Sequence, residues 1–130
     1  MIVQVPETDR SYSAAQDDTY ISSADMDSID TLMHNYAYYL CSAVNSGNYN
    51  IVKPYIYPGS SLETEQRKLV SNLYQKGTTE SFNGISNISY NSRNGKYYYI
   101  TVVETETIYY SSGKVDTKTF TWDYTVIKES

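Results

Sequence analysis

"KYYYITVVETETIYY", residues 96–110, is the longest stretch of the chain with strand character. Aromatic and β-branched residues dominate it, the types that fit a pleated, half-buried surface. On a straight strand Tyr98, Ile100, Val102, Ile108 and Tyr110 share one face with Glu104 and Glu106. Carboxylates two residues apart stand roughly 7 Å apart. They could do acid–base work if their surroundings drove the two pKa values apart. A strand that bends or bulges near its middle would instead turn both glutamates to water and bring Val103 or Thr105 in. We take that second reading as the expectation, with a carboxylate-lined pocket mouth as its alternative.

Period-two patterning continues on both sides. Upstream, Phe82, Ile85, Ile88 and Tyr90 change step between Ile85 and Ile88. That change predicts a bulge, with Gly84 close by. "NSRNG" (91–95) and "SSGK" (111–114) predict turns. Over 117–128, Phe120, Trp122, Tyr124 and Val126 alternate with Thr119, Thr121, Asp123 and Thr125. The result is a three-stranded antiparallel meander, to which "IVQV" near the start could add an edge strand.

The helical period appears from Asp25. Ile29, Leu32, Met33, Tyr36, Ala37, Leu40, Ala43 and Val44 fall within one arc at 100° per residue. Asp25, Asp27 and Asp30 sit where the helix dipole favours anions, and Gly47 suits a left-handed cap. The joint "NYNIVKPYIYPGSS" is broken by Pro54 and Pro58. Ser60 and Glu63 match a capping box for a second helix bearing Leu62, Leu69, Val70 and Leu73, interrupted by Gln66 and ended by Gly77. Helices followed by a meander make an α+β domain over 25–130. Residues 1–24 read as an acidic, polar lead-in.

The totals exclude several function classes. The chain has 130 residues and a net charge of −5. Seven of its acidic side chains fall within the first 30 residues, against Arg10 alone, so the body is nearly neutral. No basic face exists to track phosphates, and no nucleic-acid partner is expected. No apolar run approaches a membrane span, so this segment inserts into no bilayer by itself. One cysteine, Cys41, excludes an intrachain disulfide and any multi-cysteine zinc site.

Candidate chemistry is sparse. His34 and Asp30, at i,i+4, have the form of a general base and its orienter, but a border position on the helix reads as a surface pair. Cys41 lies late in its helix, where the dipole opposes a thiolate, and reads as core or half-buried filler. Neither a phosphate loop nor a nucleophile elbow occurs. No catalytic residue, metal site or cofactor is expected. The 16 tyrosines, against 2 phenylalanines, are the distinctive feature. Their rings suit sugars, peptides and protein partners, although a tyrosine-rich composition filling rim and core alike would look the same. The candidate ligand-binding set is Tyr36, Tyr57, Tyr97, Tyr99, Glu104, Glu106 and Trp122.

The order of elements resembles the NTF2-like (cystatin-like) cone, with N-terminal helices packed on a curved antiparallel sheet. "YLCSAVNSGNYNIVKPYIYPGSSLETEQRKLVSNLYQKGTTE" (39–80) and "VVETETIYYSSGKVDTKTFTWDYTVIK" (102–128) are similar to the C-terminal NTF2-like domain of TcaA-type proteins. These are the teicoplanin-resistance-associated, zinc-ribbon membrane proteins of Gram-positive bacteria. The similarity covers residues about 28–128. It implies a non-catalytic recognition module outside the cytoplasmic membrane, tethered through a preceding segment. Its ligand would be a cell-wall component, an antibiotic or a protein partner, and a homodimer is compatible with it. Zinc-ribbon cysteines and a membrane helix are both missing from the sequence. The alternative is an isomerase- or dehydratase-type enzyme using the cavity of the cone.

Overall fold

Ser22 opens the first helix by accepting a hydrogen bond from the Asp25 amide at 3.1 Å. Helix α1 therefore runs Ser23–Ser46, two residues earlier than the periodicity predicts, because the serine hydroxyl satisfies an N–H the helix would leave orphaned. Gly47 ends it at φ 68, as expected of a left-handed cap. Two short 3-10 turns, Tyr49–Ile51 and Lys53–Tyr55, make the proline joint. Helix α2 spans Ser61–Gln75, with Ser60 accepting from the Glu63 amide at 3.2 Å. The Glu63 carboxylate returns to the Gly59 N–H, also at 3.2 Å, which closes a displaced capping box.

The computed structural model describes residues 2–6 and 20–129, so most of the expected lead-in lies outside the described residues. Strand β1, Ile2–Pro6, is the edge strand anticipated from "IVQV". Strands β2 (Thr79–Asn94), β3 (Tyr97–Tyr109) and β4 (Val115–Ile127) follow the helices. All neighbours are antiparallel, in the order β1-β4-β3-β2. The architecture is α+β, two helices on a curved sheet in an NTF2-like cone.

The bulges lie on β2, where the register with β3 shifts between Phe82 and Gly84, Ile85 and Asn87, and Tyr90 and Ser92. The first two each add a residue that keeps Phe82, Ile85 and Ile88 on one face, with Tyr90 following by plain alternation, while the strand curls. Against β4, by contrast, β3 is regular from Tyr97 to Tyr109. The bend expected in the middle of β3 is thus carried by its neighbour, and Glu104 and Glu106 keep the face of Tyr98, Ile100 and Val102.

That inner face meets α1. Ile29, Met33, Tyr36, Leu40 and Val44 pack with Tyr98, Ile100, Val102, Tyr124 and Val126 in one core. Burying each such side chain contributes roughly 1.5–3 kcal/mol. Both ends of α1 are tied to the sheet. Near its start, the buried Asp25 carboxylate accepts from the Tyr98 hydroxyl at 2.5 Å and from Lys128 Nζ at 3.0 Å. Near its end, the Asn45 amide clamps the Glu80 backbone, donating to the carbonyl at 2.7 Å and accepting from the N–H at 2.8 Å. On the outer face, hydroxyl pairs Thr105–Thr119 (2.9 Å) and Thr107–Thr117 (3.2 Å) cross between β3 and β4.

Candidate functional site

Between α1, α2 and the inner face of the sheet lies a cleft of about 360 Å³. Leu40 and Leu69 form its helical wall, with Gln66 and Glu65 at the α2 side. Phe120 and Trp122 form the opposite wall, their rings stacked 5.6 Å apart at 19°. They are two apart on β4, so the pleat sets both on the inner face. Trp122 is 40% exposed, so much of its ring is open to solvent.

Three carboxylates converge here, Glu80 from β2 and Glu104 and Glu106 from β3. The expectation that the β3 glutamates face water is overturned, since Glu104 is only 4% exposed. The physical reason is the regular register of β3: without a bulge, the core face simply continues into two acids. Burial pushes Glu106 up to about 8 and Glu80 up to about 7, and each is raised further by a neighbouring carboxylate. Glu104 is also raised, chiefly by burial, while hydrogen bonds from Glu106 and Tyr124 oppose the shift. Glu104 and Glu106, both raised and adjacent on one face, titrate as a pair rather than one by one. Among the described residues no lysine or arginine forms an ion pair with any of the three. Lys118 faces Glu106 across the ladder but is exposed and unpaired with it.

Behind the acids runs a buried hydroxyl chain. Gln66 Nε2 donates to the Tyr36 hydroxyl at 2.8 Å. The Tyr36 and Tyr124 rings meet edge to face with centroids 5.7 Å apart, and the Tyr124 hydroxyl lies 3.5 Å from Glu104 Oε1. Burial raises both phenols, so they stay protonated at any ordinary pH. Gln66, an interruption in the apolar stripe of α2, is explained by this contact.

Of the candidate set, Glu104, Glu106 and Trp122 come together in the cleft, and Tyr36 supports it from behind. The other three do not join them. Tyr57 borders a different hollow with Lys96, Ile127, Lys128 and Glu129. Tyr97 stands on the outer face, with Lys96 Nζ 5.5 Å from its ring centroid. Tyr99 has the same parity and is buried away from the cleft. Sequence reasoning missed Glu80, Phe120, Tyr124 and Gln66 as site residues. The parity of Phe120 and Tyr124 with Trp122 was an available signal. Glu80 shares the parity of Phe82, two residues on with no bulge between, so alternation was an available signal for it too. His34 lies outside this cleft, exposed, its Nδ1 2.8 Å from the Asp30 carbonyl.

A sequence model of the family described as "TcaA protein NTF2-like domain" matches residues 26–130. The chain is also 35% identical over 97 residues to "Uncharacterized membrane protein YvbJ" of Bacillus subtilis (strain 168). That alignment covers 75% of this chain and 16% of the relative, so the chain spans a small part of the relative's length. No solved structure matches. Among the described residues no helix is long and apolar enough to cross a membrane.

Proposed function

Because the chain belongs to the TcaA NTF2-like domain family, we propose that it is a non-catalytic binding module of a membrane-anchored envelope protein, held outside the cytoplasmic membrane. The observation that carries this reading is the cleft, with an open aromatic shelf at one side and carboxylates without a cation at the other. Such a surface suits a ligand that lays an apolar or sugar face on Phe120 and Trp122 and offers N–H donors or a protonated amine to the acids. Amino-sugar glycans and amine-bearing peptides of the cell wall have that chemistry, as do peptide antibiotics and basic segments of a protein partner. Membrane anchoring is supported by the relative, whose name describes a membrane protein.

Trp122 is the one tryptophan of the chain and stands in the cleft wall. Titrating wall glycans and stem peptides should therefore give a saturable change in its fluorescence. Flat titrations across glycans, amine-bearing peptides and glycopeptide antibiotics would count decisively against the reading.

A second reading has its own observation. Carboxyls at about 7 and about 8 in a solvent-accessible cleft are poised for proton transfer near neutral pH. In an isomerase- or dehydratase-type reaction Glu106 would donate a proton and Glu104 accept one. Glu106→Gln separates the two readings, because a recognition site keeps most of its affinity while an acid–base catalyst loses turnover by two or more orders of magnitude.

A further inference from the structure

Next to the cleft, close to two of its acids, lies a group that neither reading uses. Cys41, from α1, is 3% exposed and in no disulfide, and among the described residues its thiol makes no hydrogen bond. Its Sγ and one carboxylate oxygen each of Glu80 and Glu106 all lie within 4.8 Å of one another. Three donors from three separate elements therefore meet at one point, a buried sulfur beside two acids, and among the described residues the sulfur has no hydrogen-bond partner and the acids form no ion pair with a lysine or arginine. We propose that Cys41, Glu80 and Glu106 form a three-donor site for a thiophilic divalent cation of the zinc class.

The donor chemistry fits. Zinc takes thiolate and carboxylate ligands at about 2.3 and 2.0–2.2 Å, which places tetrahedral neighbours roughly 3.5 Å apart. Closing from the observed spacing calls for rotation of the two flexible glutamate side chains at the cleft wall toward the sulfur. Binding forms one metal–sulfur and two metal–oxygen bonds. The thiol proton, and any proton on the two carboxyls, passes to the buffer, and no electron is transferred. The site then holds three anionic donors around a dication. The fourth position faces the cleft, where water or a donor atom of a ligand would enter. Glu104, two residues from Glu106 on the same face of β3, orients that ligand from outside the coordination sphere. The sulfur is what distinguishes this site from an acidic patch: hard cations such as calcium and magnesium prefer all-oxygen sites, and thiolate selects zinc and cadmium.

The test uses the full chain, reduced and stripped of metal, titrated with zinc chloride and cadmium chloride. One equivalent of each should bind, and cadmium should produce a thiolate charge-transfer band in the ultraviolet. Cys41→Ser should abolish the band and weaken zinc at least tenfold, and Glu106→Gln should weaken zinc at least tenfold in a protein whose fold it does not threaten. Asp27→Asn, at the exposed start of α1 and outside the cleft, should change nothing. Absence of saturable binding, equal affinity for calcium, or zinc affinity indifferent to both substitutions would each overturn the site. The inference stands apart from the proposed recognition role, since metal binding and the response of Trp122 to wall fragments are separate readouts.

Discussion

At the start of α1, Asp25 is buried with every need met. The Tyr98 hydroxyl and Lys128 ammonium both donate to it, and together they hold its carboxyl below the ordinary 3.8 despite the opposing effect of burial. Toward the other end of the same helix, Glu80, Glu104 and Glu106 are pushed the opposite way and share one another's charge instead of a cation's. Both sites are acids facing one helix across one sheet. The difference is whether the fold supplies the counter-charge. Where it does, the acid ties α1 to β3 and β4. Where it does not, the fold carries a cost that only a bound cation or donor would offset. The largest expected effect tests the tied end. Asp25→Ala would strip the Tyr98 hydroxyl, buried at 0% exposure, of its acceptor. Losing that bond and the ion pair should cost about 2–4 kcal/mol, a fall in Tm on the order of 10 °C. Because the folded pKa is depressed, the wild-type contribution is present above pH 3.8 and disappears as pH falls through the lower folded value. Asp25→Ala should flatten that acid limb, and an unchanged acid limb would show that the tie is not made.

The opposite sign is expected at the other end. Glu106 has a folded pKa of about 8 against an ordinary 4.5, so the folded state holds more protons than the unfolded one between those values. Stability contributed by this group is complete below 4.5 and is lost as pH rises through 8. In chelated buffer Glu106→Gln should therefore stabilise the protein by about 1–2 kcal/mol at pH 8 and by almost nothing at pH 4. Thermal melts across pH check this, and destabilisation at pH 8 would mean that the acid pair is compensated after all. A smaller effect belongs to the clamp that places Glu80. Asn45→Ala removes two hydrogen bonds to an exposed strand end and should cost about 1 kcal/mol. It should also speed amide exchange at Glu80, while Asp25 and its partners stay as they are.

The two ends were unequally legible in the sequence, and for physical reasons. Periodicity marked α1, the capping chemistry of Ser60 and Glu63, and the inner face of β2, because apolar spacing and caps are local properties. It also placed Asp25 at a helix start. What it could not place was the partner of each acid. Tyr98 and Lys128 meet Asp25 only through strand pairing, and Glu80 reaches Glu106 only through the pairing of β2 with β3. The rule that charges avoid the core then led to the wrong face for Glu104 and Glu106. Parity alone, followed without that rule, leads to the right one. Rules about what proteins prefer fail first where a site is held against preference.

Lys118 gives the smallest prediction and the sharpest test of the contrast. It stands directly opposite Glu106 in the ladder, the position from which a cross-strand cation would ordinarily neutralise an acid. Its side chain instead points to solvent, and no ion pair forms. Exposed pairs of this kind contribute about 0–1 kcal/mol even when made. Lys118→Gln should accordingly change stability by less than about 0.5 kcal/mol and leave the alkaline decline attributed to Glu106 where it was. If the decline instead moved to higher pH, as a raised Glu106 pKa would require, Lys118 would be supplying the charge that the fold otherwise withholds. The two ends of α1 would then differ only in how far away their lysine lies.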